Sequence, residues 1–403
     1  MLKRERRLMV AVVIAVSAVA VAEATARIAA TASPGYKAAG GWGKVGAGFG
    51  QFAGNNGGLA TDKAGNIYVA DGDNNRVQVF TAKGSFLRTW GTLGTGQGQF
   101  SQAADIAVAP DGTVWVADDG NARYEQFTSS GAFKTGLSAA AGESARSLAV
   151  DTNGDVLAGV EGGAKAGYRR FVRNGDSWNT GGPLFGGIAQ ARTDDVEASA
   201  DGSVYAVRSG TQGGGDVLQR FSATGQLLKS TKIGSGEGTR GIAVDLDCNV
   251  LVSDHASGGF DKLSPAGKLL AKGSLPYIAR DMVVGPKGDV YAFIQNAGIV
   301  RLVEDRTPAT AVVSSQVVAS GGVARLKYTL SGVACPARIA ATASLTGTGI
   351  SGKARVTVAA GKTTVIAIPV KAAKGSTSAQ FKIVLKTNGR PTTQTRTVTV
   401  TVK

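Results

Sequence analysis

The chain has 403 residues, with 44 Lys+Arg against 29 Asp+Glu, one histidine and two cysteines. That length accommodates two domains, each large enough for a real core. A single histidine argues against a His-ligated metal, and two cysteines supply neither a disulfide framework nor a zinc cluster. With 58 glycines and no long helical periodicity beyond the N-terminus, the composition points to an all-β protein.

Residues 1–26 lie apart from the fold. MLKRERR is a basic stretch, and LMVAVVIAVSAVAVA (8–22) is apolar. Small-x-small sites follow at Ala20-Val21-Ala22, Ala22-Glu23-Ala24 and Ala24-Thr25-Ala26. The pattern reads as a secretory signal peptide, with an uncleaved anchor as the alternative. No cysteine follows the apolar run, so lipid attachment has no support. The expected location is extracellular or at the cell surface, with no membrane span after cleavage. The composition looks like that of a high-GC bacterium.

From residue 57 the chain repeats. Residues 57–100 contain LATD, NIYVAD, RVQVF and SFLRTW, four short runs with period-two alternation separated by turns. The first two strands and their turn recur as LATDKAGNIYVAD, IAVAPDGTVWVAD, LAVDTNGDVLAGV, VEASADGSVYAVR, IAVDLDCNVLVSD and MVVGPKGDVYAFI. Gly65, Gly112, Gly154, Gly202 and Gly288 occupy the turn slot, with Cys248 in the fifth copy, at steps of 40–48 residues. Four strands per unit at this period is the signature of a β-propeller, here with six blades. NIYVADGDNNRVQVF (66–80) and VWVADDGNARYEQF (114–127) resemble NHL repeats closely. The resemblance spans residues 37–305 and implies the fold rather than a chemistry.

The segment GWGKVGAGFGQF (41–52) resembles TWGTLGTGQGQF (89–100), the end of a fourth strand and its linker. The sixth repeat stops after three strands. Residues 36–43 are therefore expected to supply its fourth strand and close the ring.

Inter-blade linkers and the loops between second and third strands should share one face, with the tight turns opposite. Much variable material falls on the first face: 161–168, 209–216, 253–259 and the linkers 91–103, 174–193 and 230–239. That face is the expected binding face. The two residues before each innermost strand should ring the channel mouth: Gly57-Gly58, Ala104-Asp105, Arg146-Ser147, Asp194-Asp195, Arg240-Gly241 and Arg280-Asp281. Three arginines and four aspartates there either neutralise one another or bind a polar or charged ligand. The loop set Asp71, Asp73, Asn74, Asn75 and Arg76, echoed by Asp118, Asp119, Asn121 and Arg123, reads in this family as a tie within the blade, with an oxygen-ligand Ca²⁺ site as the minority alternative. His255 follows Asp254 on the binding face; a loop histidine is the plain reading and a general base the sharper one.

After Arg306-Thr307-Pro308 come TAVVSSQVV, VARLKYTL, RIAATASL, KARVTVA, TTVIAIPV, AQFKIVLK and TRTVTVTV. About seven strands in about 100 residues resemble an immunoglobulin-like or fibronectin-like sandwich. Residues 27–306 carry 27 basic and 27 acidic residues, whereas 307–403 carry 13 basic and none acidic. The second domain should therefore project a positive field. An acidic cell-surface polymer fits that field. Nucleic acid is disfavoured, since Tyr328 and Phe381 are the domain's only aromatics. Cys248 and Cys335 fall in different domains; two separate thiols is the plain expectation, with pairing left open.

The expected architecture is thus all-β: a six-bladed propeller (27–306) followed by a small basic β-sandwich (307–403). The expected role is non-catalytic binding of a protein or glycan partner, the sandwich acting as spacer or anchor. The alternative is a lactonase-like lyase or hydrolase at the channel mouth.

Overall fold

The computed structural model describes residues 36–53, 57–162, 166–175, 177–179, 184–188, 192–209, 216–233, 241–254, 258–275, 277–304, 310–313, 316–320, 323–331, 338–347, 350–359, 363–372, 375–387 and 390–402. Residues 1–26, Arg240, His255 and Cys335 lie outside them. The chain divides into two compact units at Asp305/Arg306, the turn Leu246–Cys248 counting with the second. Among the described residues no helix is long and apolar enough to cross a membrane.

The first unit is built of strands, as the alternation predicts. Six four-stranded antiparallel sheets follow one another along the chain. The first is Leu59–Thr61, Ile67–Asp71, Arg76–Phe80 and Phe86–Trp90; the second is Ala103–Val108, Val114–Asp118, Arg123–Phe127 and Phe133–Ser138. The third is Glu143–Val150, Val156–Gly162, Ala166–Phe171 and Leu184–Ile188; the fourth is Arg192–Ala198, Val204–Ser209, Asp216–Phe221 and Leu227–Ile233. The fifth is Ile242–Val244, Val250–Asp254, Gly259–Leu263 and Leu269–Ser274. The sixth takes Ala279–Val284, Val290–Ile294 and Gly298–Glu304 from the end of the unit and Tyr36–Trp42 from its start.

That last pairing is the closure expected from the repeat. Tyr36 lies opposite Glu304, Ala38 opposite Leu302 and Trp42 opposite Ile299. Tyr36 packs edge-on against Phe260 at 5.1 Å, and Lys262 lies over its ring at 5.8 Å. Lys262 also pairs with Asp245 at 2.8 Å and with Glu304. The first strand is thus held by pairing, by packing and by a buried cation.

The core lies between sheets. Tyr68, Val77 and Val79 of the first sheet pack with Ile106, Val114, Val116 and Phe127 of the second. Equivalent clusters join second to third, third to fourth, fourth to fifth, fifth to sixth and sixth to first. Neither face of one sheet is buried by that sheet alone, so each repeat depends on its neighbours. The innermost strands touch in the same cyclic order, the last against the first.

One stretch departs from the expected layout. Residues 174–193 were expected as a linker on the binding face. Instead Arg173–Asn174 and Ser177–Trp178 form a small hairpin between the third and fourth strands of the third sheet. Elsewhere that connection is a tight turn, as at Thr81–Ser85 and Thr128–Ala132. The insertion therefore lies at the tight-turn end.

The second unit is one sheet of eight strands: Thr310–Val313, Gln316–Ser320, Val323–Ser331, Arg338–Gly347, Ile350–Ala359, Thr363–Ala372, Gly375–Thr387 and Arg390–Val402. The run TAVVSSQVV, read as one strand, is two. Val323–Ser331 also pairs with Thr363–Ala372, which closes the sheet on itself. Leu326, Leu345, Ile366, Phe381 and Ile383 are buried, while Arg325, Lys327, Lys353, Arg355, Lys371 and Lys382 are exposed at alternating positions. Cys248 is disulfide-bonded, so the expectation of two separate thiols does not hold.

Candidate functional site

The channel is built from a feature that alternation alone conceals. In four of the sheets the ring residues lie inside the innermost strand, not before it, and each pair straddles a register shift. Ala103 pairs with Asp118 but Asp105 with Ala117, which leaves Ala104 as an extra residue. Arg146, Asp194 and Arg280 are the extra residues of their own sheets. These are β-bulges, which bend a strand and re-aim the side chain that follows. The residue after each bulge is Asp105, Ser147, Asp195 or Asp281.

The three aspartates then act alike. Asp105 accepts the N–H of Ile106 at 2.8 Å and of Leu148, in the next sheet, at 2.7 Å. Asp195 accepts Val196 N–H at 2.7 Å and Ile242 N–H at 2.8 Å. Asp281 accepts Met282 N–H at 2.7 Å and Leu59 N–H at 2.6 Å. Second joins third, fourth joins fifth, and sixth joins first. Between the aspartates the same slot holds Gly58, Ser147 and Gly241. A side chain at Gly58 would meet Asp105 Oδ1 at 2.0 Å, and one at Gly241 would meet Asp281 Cα at 2.7 Å. Carboxylate and small residue therefore alternate around the ring for a steric reason.

The ring encloses a cavity of about 140 Å³ lined by Asp105, Asp195, Glu197 and Asp281 among apolar strand residues. Arg146 and Arg280 are absent from that lining; Arg146 Nε lies 3.8 Å from Asp119 Oδ2 instead. Asp105, Asp195 and Asp281 are held by backbone amides. Burial raises Asp105 and Asp195 well above the usual carboxylate range, and the charge of Asp281 adds to it. Burial pushes Asp281 up to about 7, against the pull of its two amide donors. Glu197, partly buried in the same wall, is pushed up to about 8 by burial and by Asp281. At neutral pH part of this cluster holds protons, so the channel can donate hydrogen bonds as well as accept them.

Glu197 escaped the sequence reading. The residues in its slot in the other sheets are Ala60, Ala107, Ala149, Ala243 and Val283. That break in the repeat was the available signal. Asp194, on its bulge, does not line the cavity.

The loop candidates fall into two matching clamps. Asp71 accepts Ala53 N–H at 2.9 Å, Arg76 Nε at 2.8 Å and Gln78 Nε2 at 3.0 Å. Arg76 Nη2 donates to Gly48 O and Gln51 O. Asp118 repeats this with Ser101 N–H, Asn121 and Arg123, and Arg123 donates to Thr95, Gly96 and Gln99 carbonyls. Asn75, in the left-handed region, accepts Gln102 N–H at 2.8 Å. Each clamp holds the glycine-rich linker entering its own sheet. Among the described residues no group of three or more His, Cys, Asp or Glu is arranged to hold a metal.

An NHL repeat model matches residues 57–80, the first two hairpins of the ring. Comparison with curated proteins gave no match. Among solved structures the chain is similar to a gluconolactonase from Xanthomonas campestris, at 15% identity and TM-score 0.50, over 63% of this chain and 87% of that one. It is also similar to a streptogramin B lyase, at 11% identity and TM-score 0.47, over 67% and 98%. A virginiamycin B lyase from Staphylococcus aureus follows at 12% identity and TM-score 0.45, over 68% and 91%. The six four-stranded sheets, the match to an NHL repeat and the likeness to the gluconolactonase together describe an all-β, propeller-type fold.

Proposed function

We propose that the chain is an exported six-bladed propeller that recognises a protein or glycan without catalysis. Its second unit, a single closed sheet, attaches it to an acidic cell-surface polymer. The observation that carries this reading is where the polar groups are spent. The three ring aspartates stitch sheet to sheet, and the Asp71–Arg76 and Asp118–Arg123 clamps fix the linkers. Such a ring is a rigid platform for surface recognition. Among the described residues the second unit adds six exposed cations at alternating strand positions, and residues 307–403 hold no acidic residue.

The test is retention of the full chain on immobilised heparin and on teichoic acid. Wild type should bind and elute with salt, because charges at an exposed surface are screened within about 8–10 Å at physiological ionic strength. A variant with Arg325, Lys327, Lys353, Arg355 and Lys382 changed to Gln should pass through. Equal retention of the two proteins would remove the anchoring role.

A second reading rests on Glu197. A carboxyl pushed up to about 8 and facing a cavity is protonated at neutral pH, the state a general acid needs. Under that reading the channel is the site of a lyase or hydrolase, and Glu197→Gln abolishes turnover while the fold persists.

A further inference from the structure

A second pocket, of about 90 Å³, opens at the tight-turn end between the second and third sheets. It lies at the opposite end of the sheets from the linkers and second-to-third-strand loops. Three pieces build it: the turn after Val108, the turn at Asn153-Gly154, and the hairpin that replaces the ordinary tight turn of the third sheet.

One wall is aromatic. Trp178, carried by the hairpin and partly exposed, meets the fully buried Trp115 edge-on at 5.1 Å and 87°. The indole N–H of Trp115 has no partner among the described residues. The other wall is a polar relay. Gln126 Nε2 donates to Thr113 Oγ1 at 2.9 Å, and Thr113 Oγ1 donates to Asp111 Oδ1 at 2.6 Å. Arg173 Nη1 lies 3.3 Å from Asp111 Oδ2. The hairpin is fastened in place: Val172 N–H donates to Asn179 Oδ1 at 2.6 Å, and Asn179 N–H to Val172 O at 3.1 Å.

We infer that this pocket holds one neutral hexopyranose unit of a glycan. A pyranose presents an apolar C–H face and a rim of hydroxyls. Trp178 offers the matching aromatic surface, and the relay offers donors and acceptors in alternation. Asp111 and Arg173 cancel each other's charge, so the pocket favours an uncharged sugar over an acidic one. The placement gives the hairpin a purpose that closing the sheet does not, since the first and second sheets make the same connection with a tight turn. This inference rests on the glycan branch of the proposed function and names its subsite.

The test uses the full chain with cellohexaose, mannohexaose and galactohexaose, each titrated to about 10 mM, a range that reaches weak single-site sugar binding. Tryptophan fluorescence and saturation-transfer NMR are the readouts. At least one of the three should bind saturably. Trp178→Ala should weaken it at least tenfold, and Asp111→Ala should do the same, with melting temperatures close to wild type. Lys229→Ala, an exposed change on the fourth sheet, should bind as wild type does. No binding of any of the three overturns the inference. So does binding that Trp178→Ala leaves intact, but in that case glycan recognition itself survives at another surface. Retention on heparin, measured in parallel, reports the second unit separately, so failure here is distinguishable from failure of the anchoring role.

Discussion

Glu197 and Asp281 make a prediction about pH that can be worked through. Their folded values, about 8 and about 7, lie above the ordinary 4.5 and 3.8. Between these limits the folded protein holds protons that the unfolded chain has released. Stability must then fall as pH rises, the reverse of the behaviour of a salt-bridged carboxylate. It is full below about pH 4, declines through pH 5–8, and levels above the folded values. Each proton held only by the fold contributes about 1.4 kcal/mol per pH unit. Because Glu197 and Asp281 feel each other's charge, we count one net proton rather than two. Acidifying from pH 7.5 to 5.5 should then stabilise the first unit by about 3 kcal/mol. At about 2–4 °C per kcal/mol this is a rise in melting temperature of about 6–12 °C. The assay is thermal unfolding followed by tryptophan fluorescence at fixed ionic strength. All four tryptophans, Trp42, Trp90, Trp115 and Trp178, lie in the first unit, so the signal reports that unit alone. Glu197→Gln should flatten the profile and melt above wild type at pH 8, where it removes a buried charge beside Asp281. A flat wild-type profile, or an unaltered slope in Glu197→Gln, would refute the account of the channel given above.

Deleting residues 36–42 should lower melting by at least about 10 °C, since it bares the edge of Gly298–Glu304 and takes Tyr36 away from Phe260 and Lys262; scanning calorimetry reads this directly. Arg123→Ala should cost about 3–5 kcal/mol in urea unfolding, because it leaves the fully buried Asp118 without its cation. Changing Lys353 and Lys382, which flank Ser344 on neighbouring strands, should lower the salt concentration that elutes the full chain from heparin. Changing either alone should do so by less.

The all-β class, the strand order and the ring closure were legible because they depend on periodicity and turn chemistry, which each repeat states again. Gly65, Gly112, Gly154, Gly202 and Gly288 all have positive φ, as their turns require. Cys248, in the fifth slot, has φ of 56°, so the position keeps its backbone conformation without its glycine. The clamps were legible for the same reason, since Asp71–Arg76 and Asp118–Arg123 repeat at one spacing. What escaped was register. A bulge inserts one residue with no mark in composition, and it decides which of two neighbours faces the channel. Arg146 and Arg280 therefore looked like channel-lining residues, although the bulge leaves the following residue to line the cavity. The hairpin after Phe171 escaped because its glycines and asparagines read as linker. The closed sheet of the second unit escaped because pairing between Val323–Ser331 and Thr363–Ala372 spans residues that local pattern does not connect.

The ring also explains its own exception. Asp, small residue, Asp, small residue recurs around the six sheets, and the geometry accounts for both members. Each carboxylate ties two backbone amides, and each small residue leaves room for the carboxylate beside it. Nothing in that arrangement calls for Glu197. Its side chain makes no hydrogen bond among the described residues, it adds a further carboxyl to a channel already lined by three, and an alanine serves its slot in four other sheets. A residue that costs the fold stability at neutral pH and ties nothing together is not explained by stitching. If the channel does anything beyond holding six sheets in a ring, Glu197 is the side chain through which it acts, and the fourth sheet is where a substrate or ligand meets it.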